Sequence, residues 1–143
     1  MATEIPVVID TSTARPVPSM NVVPILHEVQ HALEKLIKTG ESSMIDLRAM
    51  PLAPNEDQEI KQRLGAGEAV INIDALGPSI LSETAYPGVW WVEHRNSNDV
   101  VTGLYIEIAH VPAIVFPAST DIQLGLEELT QDLKTNDHLN GKE

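Results

Sequence analysis

The stretch His27-Glu28-Val29-Gln30-His31 matches H-E-x-x-H. On a helix this spacing sets two imidazoles on one face to hold zinc, with the glutamate as general base. Such a centre also needs a third ligand and a cleft. The extended motif asks for a glycine and then a third histidine further along the helix, and Glu34 and Ile37 stand there instead. Glu56 and Glu59, on a following helix, are the remaining candidates for a third ligand. The helical wheel decides against the site. At ~100° per residue, His27 and His31 lie roughly 140–180° from the centre of the apolar stripe, beside Glu34 and Lys38. That face meets solvent. The reading is therefore no metal site, no cofactor and no catalytic residue, with a zinc hydrolase using His27, Glu28 and His31 as the alternative.

Other candidates for chemistry are weaker. Gly65-Ala66-Gly67 lacks the remaining glycine of a phosphate cradle, and no basic residue follows, so it reads as a helix stop leading into a strand. His94 and His110 have no serine, aspartate and oxyanion donor at recognisable spacing, and each reads as a hydrogen-bonded structural histidine. The chain contains no cysteine, which removes disulfides, thiolate metal sites, cysteine-ligated iron–sulfur clusters and a cysteine nucleophile.

Composition narrows the partners. Among 143 residues, nine are Lys or Arg and twenty-one are Asp or Glu, for a formal net charge of −12. That balance argues against nucleic acid, whose binding is driven by cationic side chains. It suits either solubility or attraction to a basic protein partner. The N-terminus has no basic region ahead of an apolar run, and the longest apolar runs are far short of the ~18 residues a membrane helix needs. These features predict a cytoplasmic protein with no membrane insertion.

The elements that position these residues follow from pattern. Residues 1–20, with three prolines, read as a flexible arm, with Ile5 to Ile9 as a candidate edge strand. Pro24 opens a first helix and Gly40 stops it, with Ile25, Val29, Ala32, Leu33 and Leu36 on its stripe. Met44 to Met50 alternates as a short strand. Asn55 with Gln58 resembles a capping box for a second helix that Gly65 closes. Glu68 to Asp74 and Ser79 to Ala85 are further strands, separated by a turn at Leu76-Gly77-Pro78. Thr120 and Gln123 resemble another capping box, opening a helix with Ile122, Leu126, Leu129 and Leu133 on its stripe. The order predicts an α+β fold, with a mostly antiparallel sheet of about four to five strands and about three helices packed on it. One domain spans residues 21–134, and residues 135–143 form a polar tail.

The densest strand signal lies on either side of Asn96-Ser97-Asn98-Asp99, with Gly88 to Arg95 before it and Val100 to Ile108 after it. This is a hairpin. Strand parity puts Trp90 and Val92 on one face and Val89, Trp91, Glu93 and Arg95 on the other. With Trp90 and Val92 facing the core, an odd loop or a bulge sets Trp90 near Ile106 and Trp91 near Tyr105. Trp91 and Tyr105 then form an aromatic pair on the wet face, suited to docking a protein partner. The alternative is that an arm or helix of this chain covers Trp91.

The run Glu83-Thr84-Ala85-Tyr86-Pro87-Gly88-Val89-Trp90-Trp91-Val92, followed by Ile106-Glu107-Ile108 and Val111-Pro112, resembles the shared domain of hydrogenase expression/formation proteins of the HupH type. The run from His27 to Glu41, Ile45-Asp46-Leu47-Arg48, Pro51-Leu52 and Leu64-Gly65-Ala66-Gly67-Glu68 are similar to it too, so the likeness covers roughly Val23 to Leu133, in a single copy. The resemblance implies a non-enzymatic accessory factor, or chaperone, in maturation of nickel–iron uptake hydrogenases. Its implied partner is the iron–sulfur small-subunit precursor or another accessory protein. It brings no catalytic residues with it. Members are often longer, with a second related region. A self-associating α+β domain of unrelated role is the remaining alternative, and a homo-oligomer is compatible with either.

Overall fold

The computed structural model describes residues 20–141, so the expected arm up to residue 19, its edge strand and the last two residues lie outside the described residues. The order is α1 (Val22–Thr39), β1 (Ser43–Asp46), α2 (Glu56–Leu64), β2 (Val70–Asp74), β3 (Pro78–Glu83), β4 (Val89–Arg95), β5 (Val101–Ile108) and α3 (Ser119–Asn140). The five strands form one antiparallel sheet in the order β1-β5-β4-β3-β2. This is the α+β architecture expected.

Helix α1 ends as its sequence dictates. Gly40 takes a left-handed conformation at φ 74° and its N–H returns to the Leu36 carbonyl. Val22, Ile25, Val29, Ala32 and Leu36 are buried on one stripe, with Leu33 half-buried beside them. They pack with Ile60 and Leu64 of α2 onto one face of the sheet, where Ile45, Val89, Trp91, Leu104, Ile106 and Ile108 complete the main core. At ~1.5–3 kcal/mol per buried aliphatic, this layer is what makes the two helices stable.

Register corrects the placement of the aromatic pair. Trp91 lies opposite Ile106, Trp90 opposite Glu107 and Val92 opposite Tyr105, with an irregularity at His94/Arg95. Trp91 therefore faces the helices and is 5% exposed, with the Lys61 ammonium 5.8 Å from its ring centroid. An indole so covered offers no surface to a partner, so the expectation that Trp91 docks a protein from a wet face is overturned. Trp90 is buried too, on the opposite face, in a second cluster with Leu81 and Val92, against which Ala69, Ile71, Ile73 and Tyr105 pack. Its Nε1–H donates to the Ala109 carbonyl at 3.2 Å. The parity argument assumed one dry face and one wet one. All four residues Val89 to Val92 are buried, so β4 is dry on both.

Other boundaries also moved. The strand expected from Met44 to Met50 stops at Asp46, whose carboxylate accepts from the N–H groups of Arg48 and Ala49 and turns Leu47–Ala49 into a 3₁₀ turn. The capping boxes are absent. Asn55 is left-handed at φ 68° with no side-chain cap, and Ala118 rather than Thr120 precedes α3. Helix α3 runs on to Asn140, through the stretch expected as a tail, and its described side chains, Ser119 to Asp137, are all exposed. It does not pack on the sheet as expected.

Burial of both indoles predicts that Trp90→Ala and Trp91→Ala each lower stability by ~3–5 kcal/mol, as large core truncations do. Urea melts followed by circular dichroism check this, and a loss within about 1 kcal/mol for Trp91→Ala would show that the indole is not part of the core.

Candidate functional site

The H-E-x-x-H side chains are on the open face of α1. His27, Glu28 and His31 are exposed. His27 Nδ1 lies 3.4 Å from Gln30 Oε1, and His31 Nδ1 lies 3.9 Å from Glu34 Oε2. Glu56 is buried elsewhere in its own hydrogen-bond set, and no group of three His, Cys, Asp or Glu positioned for a metal occurs among the described residues. His94 has a partner the sequence did not reveal: its Nδ1 is 2.7 Å from Ser79 Oγ, and its ring meets Tyr105 edge-on at 5.8 Å. Among the described residues no carboxylate bonds to that imidazole, so the pair lacks the third group that would orient a base.

What the fold does assemble is an apolar groove of about 290 Å³. One wall is α1, whose Leu26, Val29, Gln30 and Leu33 follow one another at helical spacing. Opposite stand Arg63 and Leu64 at the end of α2, and Tyr86 from the β3–β4 turn closes the end. The tyrosine is 53% exposed. Its turn is tightly made. Thr84, buried, accepts the Tyr86 N–H and donates to the Tyr86 carbonyl, both at 3.2 Å. Gly88 takes φ 89°, where a side chain would be strained, and an added Cβ would lie 3.5 Å from Leu33 of α1. Gly67 permits another close approach, between the α2–β2 link and the end of β3. A Cβ there would fall 2.5 Å from the Thr84 carbonyl, so the α2–β2 link can lie against β3 only because residue 67 has no side chain.

One carboxylate ties the two helices of the groove together. Glu56, 4% exposed, accepts the Ala53 N–H at 2.7 Å and both the N–H and the Nδ2 amide of Asn21 at 3.2 Å. It thereby joins the first turn of α2 to the residue before α1. The Ala53 amide does most to hold this carboxyl below the usual glutamate range. Burial opposes it, and the two Asn21 donors add to it. Negative charge at the N-terminus of α2 is also favoured by the helix dipole. Sequence reasoning took Glu56 only as a spare metal ligand. The signal it overlooked is an acidic residue in the first helical turn, where backbone N–H groups lack intrahelical partners.

A carboxyl with a lowered folded pKa stabilises the fold above its unfolded value, and that contribution fades as pH falls through the folded one. Glu56→Gln should therefore be less stable than wild type at pH 7, and the gap should narrow as pH drops below about 4.3. Urea melts from pH 7 to pH 3 measure it, and a gap independent of pH would exclude the charge as the cause. Exposure of His27 and His31 predicts in turn that untagged protein carries no stoichiometric zinc by mass spectrometry. Zinc that is present and lost in His31→Ala would restore the hydrolase reading.

Comparison with known proteins gives this surface its context. Residues 19–135 match the family described as HupH hydrogenase expression protein, C-terminal conserved region. The hydrogenase expression/formation protein HoxQ of Azotobacter vinelandii is 34% identical over 91 residues, 64% of this chain and 31% of that protein. HoxQ of Cupriavidus necator is 29% identical over 115 residues, 80% of this chain and 41% of the relative. The chain thus spans about a third of the first relative's length. Among solved structures, hydrogenase expression protein HupH from Thiobacillus denitrificans superposes with a TM-score of 0.78 at 40% identity, covering 82% of this chain and 98% of that one. With its sheet, its α1–α2 layer and the match across residues 19–135, this chain belongs to the HupH hydrogenase expression protein family, within the region conserved at the C-terminus of its members.

Proposed function

We propose that the protein is a non-catalytic accessory factor in nickel–iron hydrogenase maturation that binds the iron–sulfur small-subunit precursor. The observation that supports this best is the family match over residues 19–135. The relatives compared carry names of expression and formation, not of a catalysed reaction. The apolar recess between α1 and α2 is the kind of surface such binding would use. Among the described residues no helix is long and apolar enough to cross a membrane, which suits the same reading of a cytoplasmic factor.

The groove between α1 and α2 is the surface we assign to the precursor. Its aliphatic lining, with Tyr86 and Arg63 beside it, suits a short apolar segment carrying a carboxylate or a free carbonyl. Tyrosine and arginine are among the residues most often found as interface anchors.

Tyr86→Ala and Arg63→Ala should each leave folding stability within about 1 kcal/mol of wild type. Each should also weaken capture of the small-subunit precursor by about fivefold or more, the loss of an interface residue worth above 1 kcal/mol. Pull-down from the native host followed by mass spectrometry, with urea melts of the same variants, separates the two effects. Clean deletion with normal hydrogenase activity and normal small-subunit processing would count against the proposal as a whole.

A further inference from the structure

Helix α3 is the part of the described chain that packing does not explain. It is 22 residues long, Ser119–Asn140, and Ile122, Leu126, Leu129 and Leu133 are 58, 57, 57 and 55% exposed. A helix with Gly125 in its interior and no docked face is marginal in water, so this stripe needs a cover. The steps between the four residues are four, three and four, which keeps them within an arc of about 60° and makes a coiled-coil seam instead of a broad core face.

We propose that α3 pairs with α3 of a second copy of this chain, antiparallel, about a two-fold axis between Leu126 and Leu129. In that register Ile122 of one copy meets Leu133 of the other and Leu126 meets Leu129, and the two-fold repeats both layers. The flanks choose the direction. Gly125 and Asp132 border the seam on one side, Gln123, Thr130 and Asp137 on the other, with no Lys or Arg in either row. Parallel pairing would set Asp132 of one copy against Asp137 of the other, and like charges across such a seam are destabilising. Antiparallel pairing sets Asp132 against Gly125 and Thr130 against Gln123, so no like charges meet and the glycine admits close approach. In that register residues 119–136 of the two helices overlap, about 27 Å of shared length, enough to approach the roughly 1,000 Å² that a stable interface requires. The pairing stands whatever the groove at Tyr86 receives.

Sedimentation equilibrium of the full chain between about 1 and 100 µM tests it. Wild type should be a dimer, and Leu126→Asp with Leu129→Asp should weaken association at least 100-fold while tryptophan fluorescence stays unchanged, since α3 supplies nothing to the core. Gly125→Lys should tighten the dimer at least threefold over Gly125→Ala at low salt, by facing Asp132 of the other copy. A wild-type chain that is monomeric throughout, or that associates only with a basic amphipathic peptide, overturns the proposal. So does a dimer indifferent to the two aspartates, and equal affinity of Gly125→Lys and Gly125→Ala overturns the antiparallel arrangement.

Discussion

Burial of β4 on both faces is the constraint from which the rest of the architecture follows. Val89 and Trp91 point at the helices, while Trp90 and Val92 point the other way into the second cluster with Leu81. A strand dry on both sides must lie inside the sheet with neighbours on each edge, and β4 has β5 and β3 there. The helical layer is pinned to the same strand, because Trp91 stands under α2 with Lys61 across its ring. The long lysine stem covers apolar surface while its ammonium stays near water, so a charged residue completes the roof of the core.

What could be read in the sequence was whatever depended on local spacing. The stripe of α1, its stop at Gly40 and the two strands of the hairpin are signals written within a few turns or a few alternations. The wheel of α1 likewise sufficed to put His27 and His31 on the open face. Parity failed at the tryptophans for a definite reason. Alternation tells which residues share a face, but not whether one face or both are covered, and Glu93 and Arg95 at the far end of β4 made the Trp91 face look wet. Capping failed at Asn55 because the carboxylate one residue later reaches back to Ala53 and Asn21, and the latter contact spans 35 residues.

The groove was legible only in pieces. Leu26 and Leu33 widen the stripe of α1 beyond what one packed face needs, a sign that part of it meets something other than the sheet. Tyr86 stood in the run that resembles the hydrogenase expression proteins, yet nothing local says that its ring should point at α1. That follows from the bonds of Thr84 to residue 86 and from the backbone of Gly88. A recess made by a helix face, a helix end and a turn has no sequence motif, because its parts are joined only by tertiary packing.

The sheet order also governs how the chain can be made. Strands β2 to β5 follow one another as a meander, each closing on its predecessor across a short connection. Strand β1 instead pairs with β5, Ser43 with Ile108 and Asp46 with Tyr105. On a ribosome, α1 and β1 emerge before β2 to β5 and wait for nearly the whole sheet to be synthesised before their partner exists. Closing that loop carries an entropic cost the meander does not have, so β1 and α1 are expected to join late, onto a preformed hairpin. Until then the stripe of α1 is open to solvent, so the apolar face that later seals the core is the last to be covered.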